Sequence, residues 1–204
     1  MMKIGLYHLK YSFRKVIFFL LPFFKKVDPN VVSWSLIPLG IITAITYFFA
    51  PHIHWLYLLA CGLIFLRMVI GTLDGLMAAE FQKSTAKGEM ANRIAPEIAD
   101  MCLILGIAFS SFYYSTLGLV AITMCWAVTF FGLIGLVANR KIQSVGPVGQ
   151  TDRIVALIVF SICQYLSLYW AWNFDFIMAF FLWVIIGSVI TCALRIYSLF
   201  KKKM

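Results

Sequence analysis

The chain has 204 residues, 63% of them hydrophobic and 12% charged, a balance that excludes an ordinary water-soluble domain and a disordered chain. Its 17 Lys and Arg outnumber 8 Asp and Glu, for a net charge of +9. The cations collect at the ends and between apolar stretches, so the excess reads as membrane topology and attraction to anionic head groups, with no nucleic acid required.

Residues 1–27 open with MMKIGLYHLKYSFRKVIFFLLPFFKK, which mixes basic and apolar residues and ends in the nine-residue run VIFFLLPFF, too short to span. The pattern predicts an amphipathic juxtamembrane helix lying in the membrane interface. A cleaved signal peptide fits less well, because KKVDPN follows where small residues are expected. Residues 28–204 then read as a single six-helix transmembrane domain. Asp28 and Pro29 suit the cap and first turn of its opening helix.

Six segments approach the ~20 residues needed to cross ~30 Å of hydrocarbon: about 31–50, 53–72, 94–114, 117–138, 153–172 and 176–197. The predicted fold class is therefore all-α and polytopic. Lys and Arg occur before the first span, at Lys83 and Lys87, at Arg140 and Lys141, and at the C-terminal end, whereas the connections near His52, Ser115 and Asn173 have none. By the positive-inside rule both termini are cytoplasmic. His52 and His54 fall on the far side as interfacial residues. Cys61, Cys102, Cys125, Cys163 and Cys192 lie inside spans with no C-x-x-C or Cys/His pairing, as expected of packing residues.

Two cytoplasmic loops carry the polar sequence, EFQKSTAK at 80–87 and RKIQSVGPVGQTD at 140–152. The outer connections are only a few residues long, so chemistry is expected to face the cytoplasm. Ionisable residues inside a span cost ~2.5 to 3.5 kcal/mol at its centre and usually face a bundle interior or a cavity. On the second span Arg67, Gly71, Asp74 and Ala78 share one helical face. On the third, Glu89, Asn92, Arg93, Pro96, Glu97 and Asp100 fall within an arc of roughly 140°. A purely structural account has Arg67 neutralising Asp74, and Gly71 with Gly75 letting helices approach closely. Two polar faces flanking one short loop favour a polar cavity at the cytoplasmic ends of these spans.

These residues resemble the CDP-alcohol phosphatidyltransferase family, whose pattern is D-x-x-D-G-x-x-A-R-x8-G-x-x-x-D-x-x-x-D. From Gly71 to Pro96 the chain reads GTLDGLMAAEFQKSTAKGEMANRIAP, with Asp74, Gly75, Ala78 and Gly88 in place and the eight-residue spacer intact. DPNVVS at 28–33 resembles the P-N-x-x-[TS] opening of the family's first span, and GPVGQTDR at 146–153 its polar loop before the fifth. Gly71, Ala79, Asn92 and Pro96 stand where the family has Asp, Arg, Asp and Asp. One motif carboxylate of four is therefore in place.

The resemblance implies an integral membrane enzyme that moves a phosphatidyl or related phosphoalcohol group from a CDP-linked lipid donor to a small alcohol or sugar-phosphate acceptor, releasing CMP. In the family two divalent ions, usually Mg2+, clamp the donor's pyrophosphate, and the last aspartate is the proposed base. Here Asp74 and Asn92 become the expected metal ligands for Mg2+ or Mn2+, with one ion in place of two, since Mg2+ is commonly held by one or two carboxylates plus phosphates and water. Glu97 or Asp100 is the expected base. Gly75, Ala78, Gly88 and Arg67 are expected to meet the donor, and Arg153 the acceptor. A homodimer in the bacterial cytoplasmic (inner) membrane, in contact with membrane lipids, completes the expectation. The alternative is a catalytically impaired relative that binds lipid or nucleotide as a partner or regulatory protein. A small transporter fits less well, for want of paired broken helices in two halves.

Overall fold

The computed structural model describes residues 9–137, 145–172 and 174–200. Among them the chain is helical and divides into two compact units, the first containing α1 to α5 and the second α6 to α8.

In the first unit, α1 (Leu9–Ile17) runs into a 3-10 segment (Phe18–Phe24) that carries Pro22. Their inward residues Ile17 and Leu21 are buried with Val32, Leu73 and Met77, while Val16, Phe19 and Phe23 stay exposed. The segment from 16 to 23 thus presents apolar side chains on two sides, one against the unit and one outward, as suits a helix at a membrane surface. Next comes α2 (Pro29–Trp34), entered as the sequence predicts: the Asp28 carboxylate accepts the Asn30 N–H at 2.8 Å and Pro29 occupies the first turn. It continues into α3 (Leu36–Phe49).

The next helix, α4 (Leu56–Glu80), keeps its helical geometry through the whole Gly71 to Ala78 motif. Thr85 caps α5 (Ala86–Ala108), its hydroxyl accepting the Gly88 N–H at 3.0 Å. Close packing of α3 on α5 depends on small residues, with Gly40 set against the Ala99 backbone and Gly106 against that of Ala44.

The second unit holds α6 (Phe112–Val137), α7 (Gln150–Tyr169) and α8 (Phe176–Phe200). Two of its interior polar side chains reach backbone groups elsewhere in the unit. Gln164 accepts the N–H groups of Phe176 and Ile177 at 2.7 and 3.3 Å, satisfying the start of α8. Arg195 donates to the carbonyls of Val145 and Val128. Large apolar side chains such as Trp126, Phe130 and Ile186 are exposed on the outer faces, where lipid rather than water is the natural neighbour.

Among the described residues, five helical stretches are long and apolar enough to cross a membrane: residues 29–49, α4, α6, α7 and α8. The expected six spans thus reduce to five on this criterion. The expected third span, 94–114, differs in both position and character. The helix begins at Ala86 and ends at Ala108, with a break at 109–111 before α6. At 23 residues α5 is ~34 Å long, but Lys87, Glu89, Arg93, Glu97 and Asp100 occupy its first two thirds. Its helix is set by the Thr85 cap and by packing on α3 rather than by continuous hydrophobicity. How the chain termini face the membrane stays an expectation from the charge distribution.

Candidate active site

Where α1, α2, α4 and α5 of the first unit meet, they enclose a cavity of about 210 Å³ that opens beside the 81–85 loop. Each element brings residues for a local reason. The Asp28–Pro29 cap turns α2 so that Asn30 and Ser33 line the cavity. The unbroken α4 helix presents Asp74, Gly75 and Ala78, which are one and four residues apart. The Thr85 cap starts α5 early enough for Gly88, Glu89 and Asn92 to join them.

Asp74 is the buried anchor of this arrangement, at 1% exposure. One carboxylate oxygen accepts the Ser33 hydroxyl at 2.6 Å and the other the Gly75 N–H, also at 2.6 Å. Charge-assisted bonds this short fix the carboxylate's orientation. The glycines act by leaving room. A Cβ at Gly75 would lie 3.3 Å from the Asn92 amide nitrogen and 3.8 Å from a terminal nitrogen of Arg14, and one at Gly88 would lie 2.9 Å from the Asn30 side-chain oxygen.

Several sequence-predicted residues therefore come together: Asp74, Gly75, Ala78, Gly88 and Asn92 all line the cavity. Arg67, Glu97 and Asp100 are not among its lining residues. Arg67 and Asp100 instead meet each other at 2.6 Å with both side chains buried, and the same guanidinium nitrogen donates to the Pro96 carbonyl at 3.1 Å. Glu97 is half-buried on α5. Arg153 belongs to the second unit, 1% exposed in the first turn of α7, where the neighbouring Asp152 accepts the Gly149 N–H at 2.9 Å. The sequence also placed Arg140 and Lys141 in the polar loop before α7; both lie outside the described residues.

The cavity also contains groups that the sequence reading passed over. Arg14 and Lys83 line it, although both entered the sequence argument only as topology charges. Lys83 donates to the carbonyls of Lys25 and Val27 at 3.2 and 3.4 Å, bracing the 81–85 loop against the end of the 3-10 segment. Glu89, a further lining carboxylate, is paired with Arg93 at 2.6 Å.

A two-ion centre does not fit this donor set. Among the described residues no three His, Cys, Asp or Glu side chains group together as metal ligands. Gly71, Asn92 and Pro96 are neutral where the resembled motif is acidic. A single ion is compatible with one carboxylate, Asp74, and the Asn92 amide oxygen, provided that ligand oxygens and water complete its coordination.

No family model matches the chain. It is 25% identical over 148 residues to the inner membrane protein YnbA of Escherichia coli K12, a match covering 72% of this chain and 73% of that protein. Among solved structures it is similar to the phosphatidylinositol phosphate synthase PgsA1 of Mycobacterium tuberculosis with CDP-DAG bound, at a TM-score of 0.71 and 15% identity, covering 94% of this chain and 97% of that one. The same synthase in complex with manganese and citrate also gives 0.71, at 15% identity over 93% and 92% of the two chains, and its apo form gives 0.69. The spans and the inner-membrane relative together make this an integral membrane protein. The chain has the fold of a CDP-alcohol phosphatidyltransferase, the family whose motif it resembles.

Proposed function

We propose that the protein is a membrane transferase that moves a phosphatidyl or related phosphoalcohol group from a CDP-linked lipid to an alcohol, within phospholipid synthesis. The observation that carries this reading is the convergence of Asp74, Gly75, Ala78, Gly88 and Asn92 on one cavity, in a fold shared with a synthase solved with CDP-DAG bound. At about 210 Å³ the cavity is smaller than the ~300 Å³ at which whole-ligand sites begin. It suits the phosphates of a larger molecule whose lipid tails lie along the helices.

In the reaction, the acceptor's hydroxyl oxygen attacks the phosphorus on the lipid side of the pyrophosphate. The bond from that phosphorus to the bridging oxygen breaks, and CMP leaves with that oxygen. Asp74, its orientation fixed by Ser33 and the Gly75 N–H, is the carboxylate that would hold a divalent ion beside the phosphates. A single Mg2+ or Mn2+ on Asp74 and Asn92 would supply positive charge to the pyrophosphate oxygens. The acceptor's proton needs a carboxylate in the cavity. Neither Asp100, buried against Arg67, nor Glu97 is a lining residue, so we assign this role to Glu89, which lines the cavity and whose pair with Arg93 is exposed. Arg153 remains the proposed contact for an acceptor phosphate. Arg14 and Lys83, which line the cavity, support a cytoplasmic active site, and a homodimer is part of the same reading.

A second reading, binding without turnover, is favoured by one feature: the Arg67–Asp100 pair withdraws an acid that a degenerate motif would otherwise have available. CMP release separates the two. Purified protein is incubated with CDP-diacylglycerol, Mg2+ and a panel of alcohols and sugar phosphates, beside Asp74→Asn and Glu89→Gln. The transferase reading expects CMP with at least one acceptor and a fall of at least about 100-fold in each variant. CDP binding with no release above Asp74→Asn for any acceptor would leave the binding reading in its place.

A further inference from the structure

The charge on the cavity wall is unusual for a site expected to rest on bound cations. Its acids are Asp74, already holding two donors, and Glu89, already paired with Arg93. Against them stand Arg14 and Lys83, neither of which has an ion-pair partner among the described residues. With Glu89 offset by its Arg93 partner, the two cations stand against the carboxylate of Asp74, a balance of one positive charge that suits an anionic ligand.

Both cations are prepared for such a ligand. The Arg14 Nε–H is buried and has no hydrogen-bond partner among the described residues. A terminal nitrogen of the same guanidinium lies 3.8 Å from where a Gly75 Cβ would be, so the glycine opens the space in front of it. An arginine N–H left unmade in a buried position costs ~1 to 3 kcal/mol or more, a cost that an incoming oxyanion removes. Lys83 spends two of its three N–H groups on the Lys25 and Val27 carbonyls. Its ammonium is thereby fixed at the cavity wall with one donor to spare. Ser84, Thr85 and Gly88 place the positive end of the α5 dipole on the same space.

We propose that Arg14 and Lys83 bind the diphosphate of the CDP-linked ligand directly, as a side-chain clamp that supplies positive charge where the donor set is too poor to hold two metal ions. This deepens the donor reading above and rests on it. The guanidinium takes two phosphate oxygens in its planar fork, and the ammonium takes a third as a compact point charge. Both contacts belong to the ground state, so they hold the diphosphate whether or not transfer follows.

The test is equilibrium binding of CDP, with CMP and cytidine for comparison, to the full chain in phosphatidylcholine nanodiscs, which present no anionic lipid. Titrations are made with Mg2+ and with EDTA, on the wild type, Arg14→Gln, Arg14→Lys and Lys83→Gln. CDP binding is expected to persist in EDTA. Each Gln variant should weaken it at least about tenfold, the worth of one charge-assisted bond, while Arg14→Lys weakens it less, showing that the fold is intact. Unchanged CDP affinity in both Gln variants, beside a wild type that binds, overturns the clamp and leaves the donor reading standing. Loss of all wild-type binding in EDTA also overturns it. Failure of the wild type to bind CDP under either condition overturns the donor reading itself and the clamp with it.

Discussion

The packing of α3 on α5 makes a sharp prediction, because two glycines there face backbone rather than side chain. A Cβ built at Gly40 would lie 2.7 Å from the Ala99 Cα, 2.7 Å from its carbonyl oxygen and 2.9 Å from its Cβ. Carbon atoms rest at about 3.5 to 4.0 Å, so Gly40→Ala forces the two helices apart by about 1 Å. Gly106 repeats the situation against the Ala44 backbone, so neither end of the interface can yield by rotating a side chain. Overpacking costs ~1 to 3 kcal/mol, and a rigid backbone obstacle puts the figure near 3. The gain in helix propensity, ~1 kcal/mol, returns part of it. A net loss of about 2 kcal/mol follows.

Gly62, on α4, provides the control, because a Cβ there meets nothing within 4 Å. Gly62→Ala therefore keeps only the propensity gain, and the two variants differ by about 3 kcal/mol. For a chain of this size that is a separation of about 6 to 12 °C in Tm. Tryptophan fluorescence melting in one detergent would measure it. Gly40→Ala should also weaken CDP binding below its melting range, because α5 carries Gly88 and Asn92 into the cavity. A Gly40→Ala protein that melts at or above Gly62→Ala would refute the close-packing argument.

Two further outcomes are expected. Arg67→Ala strips the buried Asp100 carboxylate of its guanidinium and should cost ~3 to 5 kcal/mol, whereas the pair Arg67→Met with Asp100→Leu should recover most of that loss in the same melting assay. Gly71→Asp should fold, since its Cβ would stand at ordinary distances of 3.6 Å from Leu36 and 3.7 Å from an Arg67 nitrogen. By itself it should add no Mn2+ binding, while Gly71→Asp with Asn92→Asp should raise Mn2+ affinity at least about tenfold, read from the free-ion signal by electron paramagnetic resonance.

The parts of this site that were legible in the sequence are those fixed by spacing along one helix or by a local cap. Asp74, Gly75 and Ala78 follow from helical period, and Asn92 and Gly88 from the intact spacer. The entry to α2 was readable because Asp-Pro is a capping signal whose partners are two residues apart. The start of α5 was not: hydropathy weighs side chains only, and Thr85 supplies a cap to a stretch too charged to register as a span. The Arg67–Asp100 pair was equally hidden, being 33 residues apart in sequence. Face arithmetic places each residue on its own helix but does not fix the rotation of one helix against the other. Arg14 and Lys83 escaped notice for another reason. A cation near a membrane is already explained by topology, so its sequence position carries no second signal.

The substitutions in the motif and the cations in the cavity belong to one electrostatic argument. Four carboxylates facing a single cavity repel one another, and burial raises the cost of each charge. Such a site is comfortable only with cations resident in it. With Gly71, Asn92 and Pro96 neutral, that repulsion is reduced, and Asp74 accepts from Ser33 and the Gly75 N–H. The same change lowers the barrier to a phosphate entering beside Asp74, because less negative charge opposes it. Arg14 and Lys83 form no ion pair among the described residues, so their charge is available to the ligand. Loss of metal-binding acids and retention of a diphosphate site are then compatible consequences of one wall composition, and affinity for CDP in EDTA is the quantity on which the two separate.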